Sequence, residues 1–326
     1  MKNDAVNNLI KQLKEIQDDF YKTFQVTDII TNSKIFEILI ADSFGHTLIS
    51  GHSGSRDAKN DEGEEFEYKH YKESSSNHTW TFNDFSDTTI AKLNNTKSVI
   101  FAHIQDEDVK FPKFDWYYEV PGSIVSKYLI EATLKITNHR KMINVGPKQI
   151  TERMNCVRKT TQDDFRGRYY PWIKRIVDLM LEIEFAVGTT GILTSNKFWE
   201  VLVALRLGHN VQSEQLKHDA VDKFGNMYEY KVSRSSSWSF QDISAVVLKK
   251  YLLDKSIILA TVDKNDFVVK RIYEADTKRV VRLLKKKLIE KSQRYTSKGK
   301  QVRRVQASLS ALDLRNIKAK IIYQEN

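Results

Sequence analysis

A single cysteine, Cys156, occurs in 326 residues, so neither an internal disulfide nor a cysteine-based zinc cluster can form. No apolar run approaches the roughly 18 residues that a membrane-crossing helix requires. The opening residues, Met1-Lys2-Asn3-Asp4, mix charge with amide and carry no apolar stretch of the kind a signal peptide uses. These absences lead us to expect a reducing, cytoplasmic setting. What is present excludes disorder: 40% hydrophobic and 29% charged residues suit a folded chain, long enough for two ordinary domains.

Charge is unevenly placed along the chain. The net value is +10, but residues 270–326 hold 17 Lys/Arg against five acids (Glu274, Asp276, Glu290, Asp313 and Glu325), a local +12 that leaves −2 for the rest. A segment this basic suits contact with phosphates, where each neutralised phosphate releases condensed counterions. It reads equally as a solvated charged surface. Its densest runs, Lys285-Lys286-Lys287 and Arg303-Arg304, are the best placed for phosphate contacts.

The chain also repeats itself at an offset of about 160 residues. Ser33–His46 aligns with Asn196–His209 at six of 14 positions, including Glu37 with Glu200 and Gly45-His46 with Gly208-His209. Asp57–Lys69 aligns with Asp219–Lys231 at six of 13. Trp80–Ser86 matches Trp238–Ser244, and Lys97–Ala102 matches Lys255–Ala260, with the same 17-residue spacing between the two blocks in each copy. That makes 20 identities in 40 positions, which coincidence does not explain. Upstream, Leu9–Thr31 lies over Trp172–Thr194 with Ile10/Ile173 and Ile29/Ile192 in register. We therefore expect one unit at 1–150, a basic linker at 151–171 containing Arg153, Arg158, Lys159, Arg166 and Arg168, and a second unit at 172–326.

Within each copy, apolar spacing predicts a helix over Lys34–Phe44 and Lys197–Leu207, ended by Gly45 or Gly208. A short extended stretch and a hairpin follow, turning at Asn60–Gly63 or Asp222–Gly225. A Ser/Asn-rich loop then leads to an expected helix, roughly 83–93 and 241–253, with Asp84 and Asp242 as its N-caps. Buried apolar strands at Ser98–Ile104 and Ser256–Val262 close the series. The order helix, three strands, helix, strand gives an α/β fold in each unit, a small mixed sheet between helices.

The hairpin strands carry Glu67-Tyr68-Lys69 and Glu229-Tyr230-Lys231, and alternation along a strand puts each Glu and Lys on one face. Asp57 and Asp219 begin the preceding strands, where their carboxylates can converge with those of Glu67 and Glu229. Two such carboxylates can hold Mg²⁺, with waters, phosphate oxygens and a backbone carbonyl, that of Tyr68 or Tyr230, completing the shell. The lysine beside it can orient a water or offset charge developing on a phosphate. One such string is an ordinary surface hairpin in many proteins; two copies that keep Asp, Glu and Lys while seven of 13 positions change are not.

This element order with Asp…Glu-x-Lys resembles the PD-(D/E)XK nuclease superfamily and, within it, the type II restriction endonucleases. The resemblance covers about 75 residues of each unit and implies two tandem restriction-endonuclease-like cores. It implies catalytic sites at Asp57, Glu67 and Lys69 and at Asp219, Glu229 and Lys231, with Asp57, Glu67, Asp219 and Glu229 as metal ligands and Mg²⁺ as cofactor. An acid on the first helix near the metals is common in the superfamily, and Glu37 and Glu200 match it. The residue before the aspartate is Arg56 or His218 instead of the family's frequent proline. The implied activity is site-specific hydrolysis of both strands of double-stranded DNA by one chain with two sites, monomer or homodimer, paired with a cognate DNA methyltransferase. A structure-specific repair or recombination nuclease and a catalytically inert DNA-binding protein are the alternatives.

Other paired features have simpler readings. Trp80/Trp238 and Phe82/Phe240 are expected to be packing residues, and His46/His209, each after a helix-ending glycine, structural. The runs Ser74–Ser76 and Ser235–Ser237, with Ser75 and Ser236 at their centres, leave the strand bearing the site and are candidates for hydrogen bonds to phosphates or bases. Nothing in the sequence decides whether Tyr117-Tyr118, Arg166 or Arg168 touch DNA.

Overall fold

Each half of the chain begins with a long helix and then a short, apolar one. The first half runs α1 (Lys2–Phe24), α2 (Lys34–Phe44), β1 (Thr47–Leu48), β2 (Ala58–Lys59), β3 (Glu65–Lys72), β4 (Trp80–Asn83), α3 (Asp87–Asn94), β5 (Ser98–Gln105), β6 (Lys113–Pro121), α4 (Gly122–Thr133), β7 (Met142–Val145), α5 (Pro147–Arg153) and β8 (Lys159–Thr160). The second runs α6 (Tyr170–Val187), α7 (Lys197–Leu207), β9 (Asn210–Val211), β10 (Ala220–Val221), β11 (Met227–Ser233), β12 (Ser237–Ile243), α8 (Ala245–Tyr251), β13 (Ser256–Asp263), β14 (Val268–Ala275), α9 (Thr277–Thr296), β15 (Val305–Ser310), α10 (Ala311–Asn316) and β16 (Lys320–Gln324). This computed structural model describes residues 2–325 apart from 31–33, 51–55, 84–85, 108–110, 138–140, 163–165, 193–196, 214–217 and 301–304. Among the described residues the two halves contain the same kinds of element in the same order. The duplication therefore reaches past the four matching blocks to the end of each half.

The chain is mixed α/β, with two six-stranded sheets of identical topology. Their orders are β1-β2-β3-β5-β6-β8 and β9-β10-β11-β13-β14-β16. In each, the central pair is parallel (β3 with β5, β11 with β13) and the flanking pairs are antiparallel. A parallel pair needs a crossover, here formed by a strand and a short helix, β4–α3 or β12–α8. β5 (SVIFAHIQ) is buried over nearly its whole length, which is why it reads as an unbroken apolar run covered on both faces. Val99, Phe101, Tyr118 and Val120 pack with Ile90 and Leu93 of α3 and Val125 and Leu129 of α4. Ile257, Leu259, Tyr273 and Ala275 pack likewise with Leu248 of α8 and Val280, Val281 and Leu284 of α9.

α2 and α7 match the predicted helices to the residue, and both end where Gly45 and Gly208 take positive φ, +70° and +67°. The hairpin turns also lie where expected, with Gly63 and Gly225 at φ +79° and +82°. The predicted helices at 83–93 and 241–253 need correction. The serine loops lead first into strands β4 and β12, and the helices start only at Asp87 and Ala245. Their N-caps are Ser86 and Ser244, whose hydroxyls accept from Thr89 N and Val247 N. The expected cap Asp84 lies outside the described residues, and the backbone of Asp242 belongs to β12. β4 pairs antiparallel with β7 and β12 with β15, forming a separate two-stranded ribbon in each half.

Residues 16–177 form one compact unit, and residues 1–15 with 178–326 form the other. These boundaries fall inside α1 and α6, whereas 151–171 was expected to be a linker. The described part of that segment contributes β8 to the first sheet, with Lys159 and Thr160 opposite Tyr117 and Trp116. Among the described residues no helix is long and apolar enough to cross a membrane.

Candidate active sites

The geometry of each site starts from a very short strand. β2 pairs with β3 only at Ala58↔Phe66 and Lys59↔Glu65, so the same register continued puts Asp57 opposite Glu67. Directly opposed residues share a face, and Lys69, two residues on, shares it as well. β10 repeats this: Ala220↔Tyr228 sets Asp219 opposite Glu229. Because the short strand stops there, the next N–H of the long strand has no backbone partner on that side. The aspartate takes it: Asp57 Oδ2 accepts from Tyr68 N at 2.6 Å and Asp219 Oδ2 from Tyr230 N at 2.7 Å.

Each lysine turns back to its glutamate. Lys69 Nζ donates to Glu67 Oε1, and Lys231 Nζ donates to Glu229 Oε1 at 2.5 Å and to the Tyr230 carbonyl at 3.1 Å. Lys69 lies 5.4 Å from the Phe82 ring centroid, and Lys231 lies 5.7 Å and 5.9 Å from Phe240 and Tyr251. β4 and β12 thus lay an aromatic floor beneath each ammonium. Glu67 and Glu229 are only 6% and 4% exposed. Glu37 and Glu200 sit in the first turns of α2 and α7, paired with Lys34 at 2.9 Å and Lys197 at 2.8 Å.

Burial, then the charges of Glu67 and Glu37, push the Asp57 carboxyl well above the ordinary range. Burial, then Asp219, lifts Glu200 to about 7. Burial opposes the charge on Lys69 and Lys231, but Glu67 and Asp57, or Glu229 and Asp219, outweigh it and hold both lysines above the usual value. Burial lowers His70, beside Lys69, to about 4, so its imidazole is neutral.

These features bear on whether a divalent cation fits. Among the described residues no three His, Cys, Asp or Glu side chains form a ready metal cluster. The donor set is instead two carboxylates and a backbone carbonyl, the sparse protein share that Mg²⁺ takes when waters and phosphate oxygens supply the rest. Glu67 Oε2 is buried without a hydrogen-bond partner, and Asp57 carries the like-charge burden that a cation relieves. The residues fit the ion.

The remaining candidates are scattered. Ser74 is committed to Asp106, with N–H···Oδ1 2.9 Å and Oγ–H···Oδ2 2.6 Å; Ser75 N donates to Lys72 O, and Ser236 is exposed. Lys285 and Lys286 are exposed on α9, whereas Lys287 is tied to Asp313 at 2.8 Å and holds α9 to α10. Arg303 and Arg304 lie outside the described residues. Arg168 donates to His46 O and Thr47 Oγ1, Tyr118 is core, and Arg166 stacks on Tyr170. Trp80 and Trp238 are fully buried, each donating its indole N–H to a carbonyl, Ala102 or Ala260. His46 Nδ1 shares a hydrogen bond of 2.8 Å with the Tyr68 hydroxyl, and His209 Nδ1 one of 2.7 Å with Tyr230. Both histidines thus anchor the strand bearing the site.

Sequence reasoning passed over Lys34 and Lys197, although the alignment marks them as identical, and over His218, Lys250 and Asp254. His218 and Asp254 gave no signal because Arg56 and Thr96 stand at their positions in the N-terminal copy, and Lys250, although identical to Lys92, lies outside the matching blocks. No family profile matches the chain, and no curated protein matches it in sequence.

Proposed function

We propose that this chain is a Mg²⁺-dependent type II restriction endonuclease, cutting both strands of duplex DNA with two active sites in one polypeptide. One observation carries the reading: the same buried set recurs in both halves, Asp bonded to the N–H between Glu and Lys, and Lys returning to Glu. A structural salt bridge needs no acid raised by burial and by neighbouring carboxylates, as Asp57 and Glu200 are, whereas a site awaiting a cation accumulates them.

Asp57 with Glu67, and Asp219 with Glu229, would hold the ion, with Glu37 and Glu200 adjusting the local charge. Bound there, Mg²⁺ supplies Lewis acidity to a phosphate oxygen and to water. Lys69 and Lys231, kept protonated, orient the attacking water and offset negative charge on the phosphate as it develops. The exposed cations of α9, Lys285 and Lys286 among them, suit the sugar-phosphate backbone and carry no sequence information.

The test is incubation of purified chain with plasmids of diverse sequence, with Mg²⁺ or with EDTA. Discrete fragments only with Mg²⁺ support the proposal, and sequencing their ends would give the target site. Cleavage confined to branched or flapped DNA would favour a structure-specific nuclease. DNA binding without any cleavage would leave an inert DNA-binding protein.

A further inference from the structure

The two sites share their central residues, but the C-terminal one is enclosed by three residues acting together. The alignment sets Arg56 with His218, Lys92 with Lys250 and Thr96 with Asp254. In the N-terminal unit Arg56 turns to Glu65, with Nε 2.7 Å from Oε2. The Thr96 hydroxyl donates to the carbonyl of Lys92 at 3.2 Å, and the Lys92 side chain is exposed. Glu67 Oε2 and its counterpart Glu229 Oε2 are both buried without a hydrogen-bond partner.

In the C-terminal unit His218 Nδ1 lies 2.5 Å from Asp254 Oδ1, and the Asp254 side chain is wholly buried. Lys250 Nζ stands 3.5 Å from Glu229 Oε2, too far for a good hydrogen bond but close enough for a strong charge contact. The same lysine charge also acts on Asp254. Two anions, Glu229 and Asp254, thus draw Lys250 over the site. Lys92 has no such pair, because threonine replaces the second acid. The neutral ring of His70, which takes the place of Val232 in the N-terminal unit, adds no compensating charge.

We propose that the two sites bind divalent cations unequally, the N-terminal site more tightly, because Lys250 sets its positive charge 3.5 Å from Glu229 Oε2, whereas its counterpart Lys92 is exposed. This rests on the nuclease reading above. A cation entering the C-terminal site must displace or face an ammonium, and one such charge contact near a protein surface is worth a factor of roughly ten or more in binding. At limiting Mg²⁺ the strand facing the N-terminal site is cut first, so a nicked circle accumulates before the linear product.

Calorimetric titration of Mn²⁺ into the full chain tests this. The expected isotherm has two classes of site that differ about tenfold or more in affinity. Lys250→Met, at a part-exposed position, should tighten the weaker class until the two nearly merge, while Lys92→Met should leave the isotherm unchanged. Asp219→Ala should retain the tighter class and Asp57→Ala the weaker. A single class in the wild type, or a weaker class unmoved by Lys250→Met, overturns the inference while leaving the nuclease reading intact. Absence of Mn²⁺ binding overturns both.

Discussion

Replacing Glu200 by glutamine probes the electrostatics of the C-terminal site without any substrate. Burial, then Asp219, raises the Glu200 carboxyl from 4.5 to about 7. An acid whose folded value lies above its unfolded one contributes stability that is complete below the unfolded value and lost as pH rises through the folded one. The window is therefore 4.5 to about 7. At about 1.36 kcal/mol per pH unit, roughly 2–3 kcal/mol of stability disappears between pH 5 and pH 8. Glutamine keeps the shape but does not ionise. It also gives up the ion pair with Lys197, at 2.8 Å, which forms only when Glu200 is ionised and is already among the causes that set the value of about 7. The informative quantity is thus the change in the wild-type-to-variant difference. We expect urea unfolding in EDTA to show Glu200→Gln gaining about 2–3 kcal/mol on the wild type between pH 5 and pH 8. Excess Mg²⁺ at pH 8 should stabilise the wild type by mass action and narrow the gap. A difference independent of pH would refute the reasoning.

Three further outcomes follow from the geometry. Asp57→Ala or Asp219→Ala alone should leave an enzyme that nicks supercoiled plasmid but does not linearise it on a gel; linear product from either would mean that further chains supply the second cut. Lys285→Glu with Lys286→Glu on α9 should weaken DNA binding across sequences and lower the slope of log K against log salt by about 2 in fluorescence anisotropy. His103 is clamped between Asp115 at 2.6 Å and Glu73 at 2.8 Å. Burial works against its charge, yet these two acids raise it above 6.5. Its stabilising charge is complete below 6.5 and lost as pH rises through the folded value, so His103→Phe should lower the Tm by a few degrees at pH 6 and far less at pH 9.

Much of this was legible in the sequence where local pattern and tertiary demand agree. The apolar spacing of Lys34–Phe44 and the glycine after it specify both the helix and its end, and the retained Asp, Glu and Lys mark the site. β4 was not legible, since Trp80–Asn83 is only four residues long and finds its partner β7 some sixty residues later; a strand so short depends on its neighbour. The later parts of the repeat, such as Val145 against Leu309, keep volume and burial but not identity, so alignment loses them. Lys250 is the same residue as Lys92, and its contact with Glu229 comes with Asp254, an acid that replaces Thr96 and belongs to no motif.

The doubled topology also changes what a substitution can do. A homodimer encoded by one gene receives every mutation twice, so neither half can be altered alone. Here α9 holds eight Lys/Arg against Glu290, while its counterpart α4 has only Lys127 and Glu131. One half of a single polypeptide has become a cationic arm while the other kept a neutral helix at the same place in its fold. If the chain cuts duplex DNA as proposed, it is free to treat the two sides of its target differently, each half fitted to its own side.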